Sequence, residues 1–315
     1  METTEITIQA EDVRQAAVRI RPLVRHTPVL FDEVDGRLVF FKCENLQRGG
    51  AFKIRGASNL ILSLTPAELR RGIVTYSSGN HAQAVAIAAA HVGAQATIVM
   101  PEDAPRIKME STRKYGARIV TYNRATESRE EIAAGIVKKT GGTLAPPFDD
   151  PRIMAGQGTA ALELLEDAGP LDALIAPVGG GGLLSGCATI AKVIDPAIRV
   201  FGAEPAQAND TFLSLAAGKH VRVQPDTIAD GLRAPEPGRL TFPVIQRLVE
   251  AILLVSEDEI RAAARRLLLE WKIVVEPSGA VPAAAVFFGK LPAEIRSVGV
   301  VLSGGNVDFE EMVQW

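Results

Sequence analysis

Residues 173–183 read Ala-Leu-Ile-Ala-Pro-Val-Gly-Gly-Gly-Gly-Leu: a short apolar run, four consecutive glycines, then a helix-like segment. A buried strand that turns through glycine into a helix is the repeating unit of a parallel α/β sheet. The same rhythm recurs along the chain. Residues 72–76 read as a strand that passes through Ser77-Ser78-Gly79-Asn80 into an alanine-rich helix ending near His91, with Gly93 as its stop. Strands are expected at 96–100, 118–122, 199–203 and 298–302, and a helix at 106–115. Residues 257–271 form an amphipathic pattern with Ser256 as N-cap. The expectation is a three-layer α/β fold with helices on both faces and ligands bound beyond the carboxyl ends of the strands. The most turn-like loops are Pro146-Pro147 and residues 232–238.

Composition narrows the class of function. The 315 residues suffice for about two domains. The 34 basic and 37 acidic residues are spread along the chain and leave a net charge of −3, which argues against a nucleic-acid partner. Two cysteines, Cys43 and Cys187, make neither a disulfide framework nor a cysteine-rich zinc site. Apolar runs such as 84–90 are far shorter than the roughly 20 residues that cross a bilayer. The acidic start, Met1 to Glu5, has no basic region before an apolar stretch. A cytoplasmic protein with no membrane partner is expected.

Four clusters at strand ends carry chemistry. The amides of Gly179, Gly180, Gly181 and Gly182, at a helix start, could bind a phosphate without a basic side chain; the alternative is a tight turn. No Gly-Lys-Ser/Thr ending follows, which argues against a P-loop. Gly180-x-Gly182-x-x-x-Gly186 misses the dinucleotide fingerprint by one residue, but Glu204 lies at a ribose-binding distance downstream, so a nucleotide reading stays open. Lys53, between Phe52 and Ile54, is either an amine of lowered pKa suited to covalent chemistry with a carbonyl, or a lysine reaching out from an apolar edge. Ser77-Ser78-Gly79-Asn80-His81 offers hydroxyls, an amide and free N–H groups to a carboxylate, or simply caps a helix; His81 is a ligand, a base or a packing residue. Ser303-Gly304-Gly305-Asn306 is a turn or a source of a hydroxyl at the same crevice.

Together with Glu44-Asn45-Leu46-Gln47 and Ala51-Phe52-Lys53-Ile54-Arg55-Gly56-Ala57, these motifs resemble the fold type II (tryptophan synthase β-like) pyridoxal-phosphate enzymes, in the branch of threonine/serine dehydratases and serine racemases. The resemblance covers nearly the whole chain. It implies two three-layer domains with mainly parallel sheets: a large one from 1–71 and 148–315, and a small, mobile one from 72–147, with pyridoxal 5'-phosphate in the cleft between them. Lys53 would carry the cofactor and Gly179 to Leu183 would cradle its phosphate. Phe52 would lie beside the ring, Asn80 would bond its hydroxyl, Ser303 would face its nitrogen, and Glu276 would stand nearby. A serine opposite the ring nitrogen is a neutral partner that favours elimination. Ser77, Ser78, Gly79, Asn80, His81 and Arg129 would meet the substrate, and Ser78 would serve the α-carbon face opposite Lys53. Glu204, Asp210 and the Ala208 carbonyl resemble a Mg²⁺ or Ca²⁺ loop.

The activity implied is β-elimination of a β-hydroxy-α-amino acid, L-threonine or L-serine, to a 2-oxo acid and ammonia. The alternative is a serine racemase, or a hydroxyaspartate dehydratase or racemase, with elimination as a side activity. A homodimer is implied, and no C-terminal regulatory domain is expected after the Ser303 motif. Two positions depart from the pattern. Ala51 stands where serine is frequent, and Arg233, near an acidic β-substituent or in solvent, stands in a segment that is richer in serine among the racemases.

Overall fold

The computed structural model describes residues 7–104 and 106–313; the acidic start at Met1 to Glu5 lies outside them. In chain order, α1 (Ala10–Ile20) precedes the hairpin β1 (Val29–Val34) and β2 (Arg37–Cys43), then α2 (Lys53–Leu62) and α3 (Pro66–Arg71). Next come β3 (Ile73–Tyr76), α4 (Asn80–His91), β4 (Ala96–Pro101), α5 (Arg106–Arg113), β5 (Arg118–Tyr122), α6 (Arg129–Thr140) and β6 (Thr143–Leu144). The remainder is α7 (Pro151–Ala168), β7 (Ala173–Pro177), α8 (Gly182–Ile194), β8 (Arg199–Pro205), α9 (Asp210–Ala217), α10 (Thr241–Leu248), β9 (Ala251–Val255), α11 (Glu257–Trp271), α12 (Pro277–Phe287), β10 (Ser297–Leu302) and α13 (Phe309–Met312). The expected strands are all present, shifted by at most two residues at their ends.

The strands form two sheets, ordered β1-β2-β10-β7-β8-β9 and β5-β4-β3-β6. Among the described residues, only the β1–β2 pair is antiparallel. Burial explains why the sequence reads as continuous apolar runs rather than as alternation. Both faces of the large sheet are covered, so every residue of β7 is buried. One face packs on α11 and α12 through residues such as Ile260, Leu267 and Val281. The other packs on α1, α7 and α8 through Val13, Leu164 and Leu184. The small sheet is also a middle layer, with α2 and α4 on one face and α6 on the other. This is the expected mixed α/β architecture. No helix among the described residues is long and apolar enough to cross a membrane.

Two local features position the site. β10 lies between β2 and β7 and parallel to both, so the carboxyl ends of these three strands lie side by side. Helix α2 contributes Ile54, Ala57, Leu60 and Ile61 to the core beneath the small sheet while lying across α7 of the large unit. Its first residue is Lys53.

Candidate active site

The segment leaving β10 ties the clusters together through the backbone. Phe52 N donates to Ser303 O at 2.9 Å, Gly305 N to Gly50 O at 2.9 Å and Glu276 N to Gly304 O at 3.0 Å. Side chains extend this across the two sheets. Asn80, at the start of α4, donates from Nδ2 to Glu276 Oε1 at 2.7 Å, and Asn306 Nδ2 donates to Asn80 Oδ1 at 2.9 Å and to Gly49 O at 2.7 Å. Glycine is required where these strands of backbone meet: a Cβ on Gly50, whose φ is +74°, would fall 2.2 Å from Asn306 Oδ1. Lys53, Phe52, Asn80, Glu276 and Ser303 are thereby brought into one place, with Ser303 buried at the end of β10.

Lys53 is partly buried, and its Nζ donates to Pro147 O at 2.7 Å and lies 5.1 Å from the Phe52 ring centroid. Burial lowers its pKa from 10.5 to about 8, and the nearby Glu276 carboxylate partly opposes the fall. The amine is thus easier to deprotonate than a surface lysine, as covalent chemistry with a carbonyl would require. His81 is buried, with Nε2 on the Ala145 carbonyl at 3.0 Å and Nδ1 without a partner among the described residues. Burial, then the Lys53 charge, pushes its pKa down to about 3. The neutral imidazole is the form this environment favours.

The glycine loop follows β7, next to β10. The N–H groups of Gly179 through Leu183 donate to no group among the described residues, and they sit at the N-terminus of α8. An anion is the natural partner for such a row of amides. The length of the glycine run is itself a weaker signal than the sequence suggests. A Cβ on Gly180 would lie 2.4 Å from the Phe148 ring, and Gly181 has φ +88° with Thr241 Oγ1 2.8 Å from such a Cβ, so packing alone demands both. It is the unpaired amides, rather than the number of glycines, that suit the loop to an anion. Ser77, Ser78 and Gly79, just ahead of Asn80, are partly exposed, with Gly79 N donating to Ser77 Oγ at 3.3 Å.

Other sequence candidates stand apart. Arg129 opens α6, pairs with Glu130 at 2.8 Å and lies 5.5 Å over the Tyr76 ring, one residue before the serine loop. Arg233 is exposed and donates to Thr227 O at 2.8 Å. Glu204, Ala208 and Asp210 form a second, fully buried cluster where β8 runs into α9. Glu204 accepts from Thr211 N at 3.1 Å and Phe212 N at 3.0 Å, whereas neither Asp210 carboxylate oxygen has a partner among the described residues. Burial, and the Asp210 charge, push Glu204 up to about 8; burial pushes Asp210 up to about 7. Two buried acids beside a loop carbonyl, with both oxygens of Asp210 orphaned, fit a hard cation. No group of three or more His, Cys, Asp or Glu side chains gathers among the described residues, so one ligand would have to be that carbonyl or water.

Sequence reasoning missed the crosslinks. Pro147 and Phe148, which receive the lysine and underlie the glycine loop, show in the sequence only as a proline-rich turn. Arg55 lies inside a recognised motif with no role assigned to it.

Comparison with known proteins gives a consistent result. A family model described as "Pyridoxal-phosphate dependent enzyme" matches residues 17–304. A serine racemase of Dictyostelium discoideum is 43% identical over 97% of both chains. An L-threo-3-hydroxyaspartate ammonia-lyase of Saccharomyces cerevisiae is 45% identical over 95% of this chain and 93% of its own. The crystal structure of the Dictyostelium serine racemase superposes with a TM-score of 0.92 over 96% of this chain and 100% of that one. The crystal structure of a threonine deaminase gives a TM-score of 0.90 at 43% identity, over 96% of this chain and 99% of its own.

Proposed function

The chain belongs to the pyridoxal-phosphate dependent enzymes, and from that premise we propose that it racemises serine and eliminates water from β-hydroxy-α-amino acids, serine and hydroxyaspartate foremost. The observation that carries this is the Lys53 amine, lowered to about 8, at the meeting of the Ser303 segment and the Asn80–Glu276 bridge. The serine racemases and L-threo-3-hydroxyaspartate ammonia-lyases among the relatives support this reading over one confined to threonine or serine dehydration. Glu204, buried and accepting from Thr211 N and Phe212 N at the start of α9, speaks against the nucleotide alternative.

In this reading the amides of Gly179, Gly180, Gly181, Gly182 and Leu183 hold the cofactor phosphate. Phe52 flanks its ring, Asn80 bonds the ring hydroxyl, and Glu276 holds Asn80 in place. Ser303 gives the ring nitrogen an uncharged partner. Bound there, pyridoxal phosphate supplies an aldehyde for amines and a ring that withdraws electrons from the α-carbon. Lys53, about half neutral at pH 8, takes or returns the α-proton on one face, and Ser78 does so on the other. Proton exchange on both faces interconverts the enantiomers; loss of the β-hydroxyl instead ends, after hydrolysis, in a 2-oxo acid and ammonia. Ser77, Ser78, Gly79, Asn80 and His81 receive the substrate carboxylate through their hydroxyls, amide and N–H groups, and Arg129 adds a cation from the small unit. Residues 72–147 act as the mobile substrate-side domain against 1–71 with 148–315. Glu204, Asp210 and the Ala208 carbonyl hold Mg²⁺ or Ca²⁺. The enzyme is read as a cytoplasmic homodimer.

The test is a panel of L-serine, D-serine, L-threonine and L-threo-3-hydroxyaspartate, followed for both keto acid and α-hydrogen exchange into D₂O. Ser78→Ala should lose interconversion of the enantiomers and keep elimination on the L-form. A parent enzyme that produces keto acid but exchanges no α-hydrogen on D-serine would overturn the racemase part.

A further inference from the structure

Helix α2 crosses α7 where Gly56 and Gly156 lie backbone to backbone. A Cβ on Gly156 would be 2.6 Å from Gly56 Cα and 2.7 Å from Arg55 O. Helices normally resist rolling because side-chain ridges of one sit in grooves of the other. A crossing on two glycines lacks that lock, and other contacts must set the rotation of α2. On one side Asn59 Nδ2 donates to Arg152 O at 2.7 Å. On the other stands Arg55, with no exposed surface. Its guanidinium forks onto Glu44, Nε to Oε2 and Nη2 to Oε1, both 2.8 Å. It forks again onto Glu163 of α7, Nη1 to Oε1 and Nη2 to Oε2, both 2.7 Å, and Nη1 reaches Thr159 Oγ1 at 3.1 Å. The anchors are themselves held: Thr27 Oγ1 donates to Glu44, and the buried Lys42 pairs with Glu163 at 2.7 Å.

Buried ion pairs stabilise a fold little better than apolar side chains of the same volume. What two bidentate forks supply is fixed geometry. Positions two apart on a helix point about 200° away from one another. Clamping Arg55 to Glu44, just after β2, and to α7 therefore aims Lys53 to the opposite side, where its amine meets Pro147 O just ahead of α7.

We propose that Arg55 is a positioning residue for Lys53, fixing the roll of α2 so that the amine faces the crevice. This rests on the reading of Lys53 as the amine that captures the cofactor. The test uses the full chain freed of cofactor, pyridoxal 5'-phosphate as probe, and the visible absorption that develops on capture. Above about pH 10 the amine of the parent is neutral, so the capture rate there reports orientation rather than titration. Arg55→Lys keeps the charge and loses the forks; it should slow capture at least tenfold. Glu163→Gln breaks one fork, leaves the Glu44 pair intact, and should slow capture in the same direction by less. Rates within twofold of the parent in both variants, or lowered thermal stability with unchanged capture, would overturn the proposal. If Arg55→Lys fails to fold, an unchanged rate in Glu163→Gln suffices to reject it. Lys53→Ala separates the two levels: a parent that captures no faster than Lys53→Ala refutes the role of Lys53, and not that of Arg55.

Discussion

Replacing Glu276 by glutamine should make Lys53 a better nucleophile near neutral pH, although it removes a buried charge from the site. The Lys53 pKa falls from 10.5 to about 8 because burial penalises the ammonium, and the Glu276 carboxylate works against that fall. The displacement corresponds to roughly 3 kcal/mol against the charged form. At pH 7 about one amine in eleven is neutral, compared with about one in 3,000 for an unperturbed lysine, a ratio of roughly 300. Glutamine retains an oxygen for the Asn80 Nδ2 hydrogen bond, so the bridge persists while the negative charge goes. The midpoint must then fall below 8. The gain in capture rate at pH 7 is capped at about tenfold, since no more than every amine can be neutral. The assay is the initial rate of pyridoxal 5'-phosphate capture from pH 6 to 10. Parent and variant are compared on the same probe so that its own titration cancels. A parent midpoint near 10, or a midpoint that rises in Glu276→Gln, would refute the reasoning.

Other outcomes follow from the packing. Gly180→Ala drives a methyl into the Phe148 ring and should cost about 1–3 kcal/mol in denaturant unfolding while weakening cofactor retention. Arg55→Met leaves the buried Glu44 carboxylate without its cation and Glu163 with Lys42 alone, and should cost about 3–5 kcal/mol by the same measurement. A divalent cation at 100 times its Kd should stabilise the protein by about 2.7 kcal/mol. EDTA should remove that gain, and Asp210→Asn should be indifferent to both; equal thermal shifts in parent and variant would exclude the Glu204–Asp210 cluster as the site.

What could be read from the sequence follows from how local each signal is. The strand–glycine–helix units at 173–183 and 72–91 are set by short-range patterning, and the structure places both within a residue or two of expectation. The amphipathic helix at Glu257–Trp271 and its Ser256 cap coincide with the reading, because capping chemistry is confined to four residues. Lys53 is ambiguous in the sequence because its pKa depends on Glu276 and on burial beneath a distant turn, neither of which sequence spacing reveals. The Asn306–Asn80–Glu276 bridge joins residues about 200 apart and leaves no periodic trace. Arg55 is similar: an arginine in an apolar helix gives no hint of which two carboxylates enclose it.

The position of β10 sets the order in which this molecule can be completed. Every pairing in the small sheet joins segments from a single continuous stretch, between Ile73 and Leu144. The large sheet is different: Ser297 pairs with Leu38, and β10 is inserted between β2 and β7 rather than added at an edge. Such long-range pairing is slow, because the loop must close before any contact repays it. During synthesis from the N-terminus the small sheet can form while the large one still has an open gap at its centre. Until β10 fills it, β2 and β7 each present an unpaired edge, and Ser303 and the backbone that anchors Phe52 are missing. Chaperone dependence and aggregation should therefore concentrate in the interval before the last strand arrives, and catalytic competence should appear as the final event of folding.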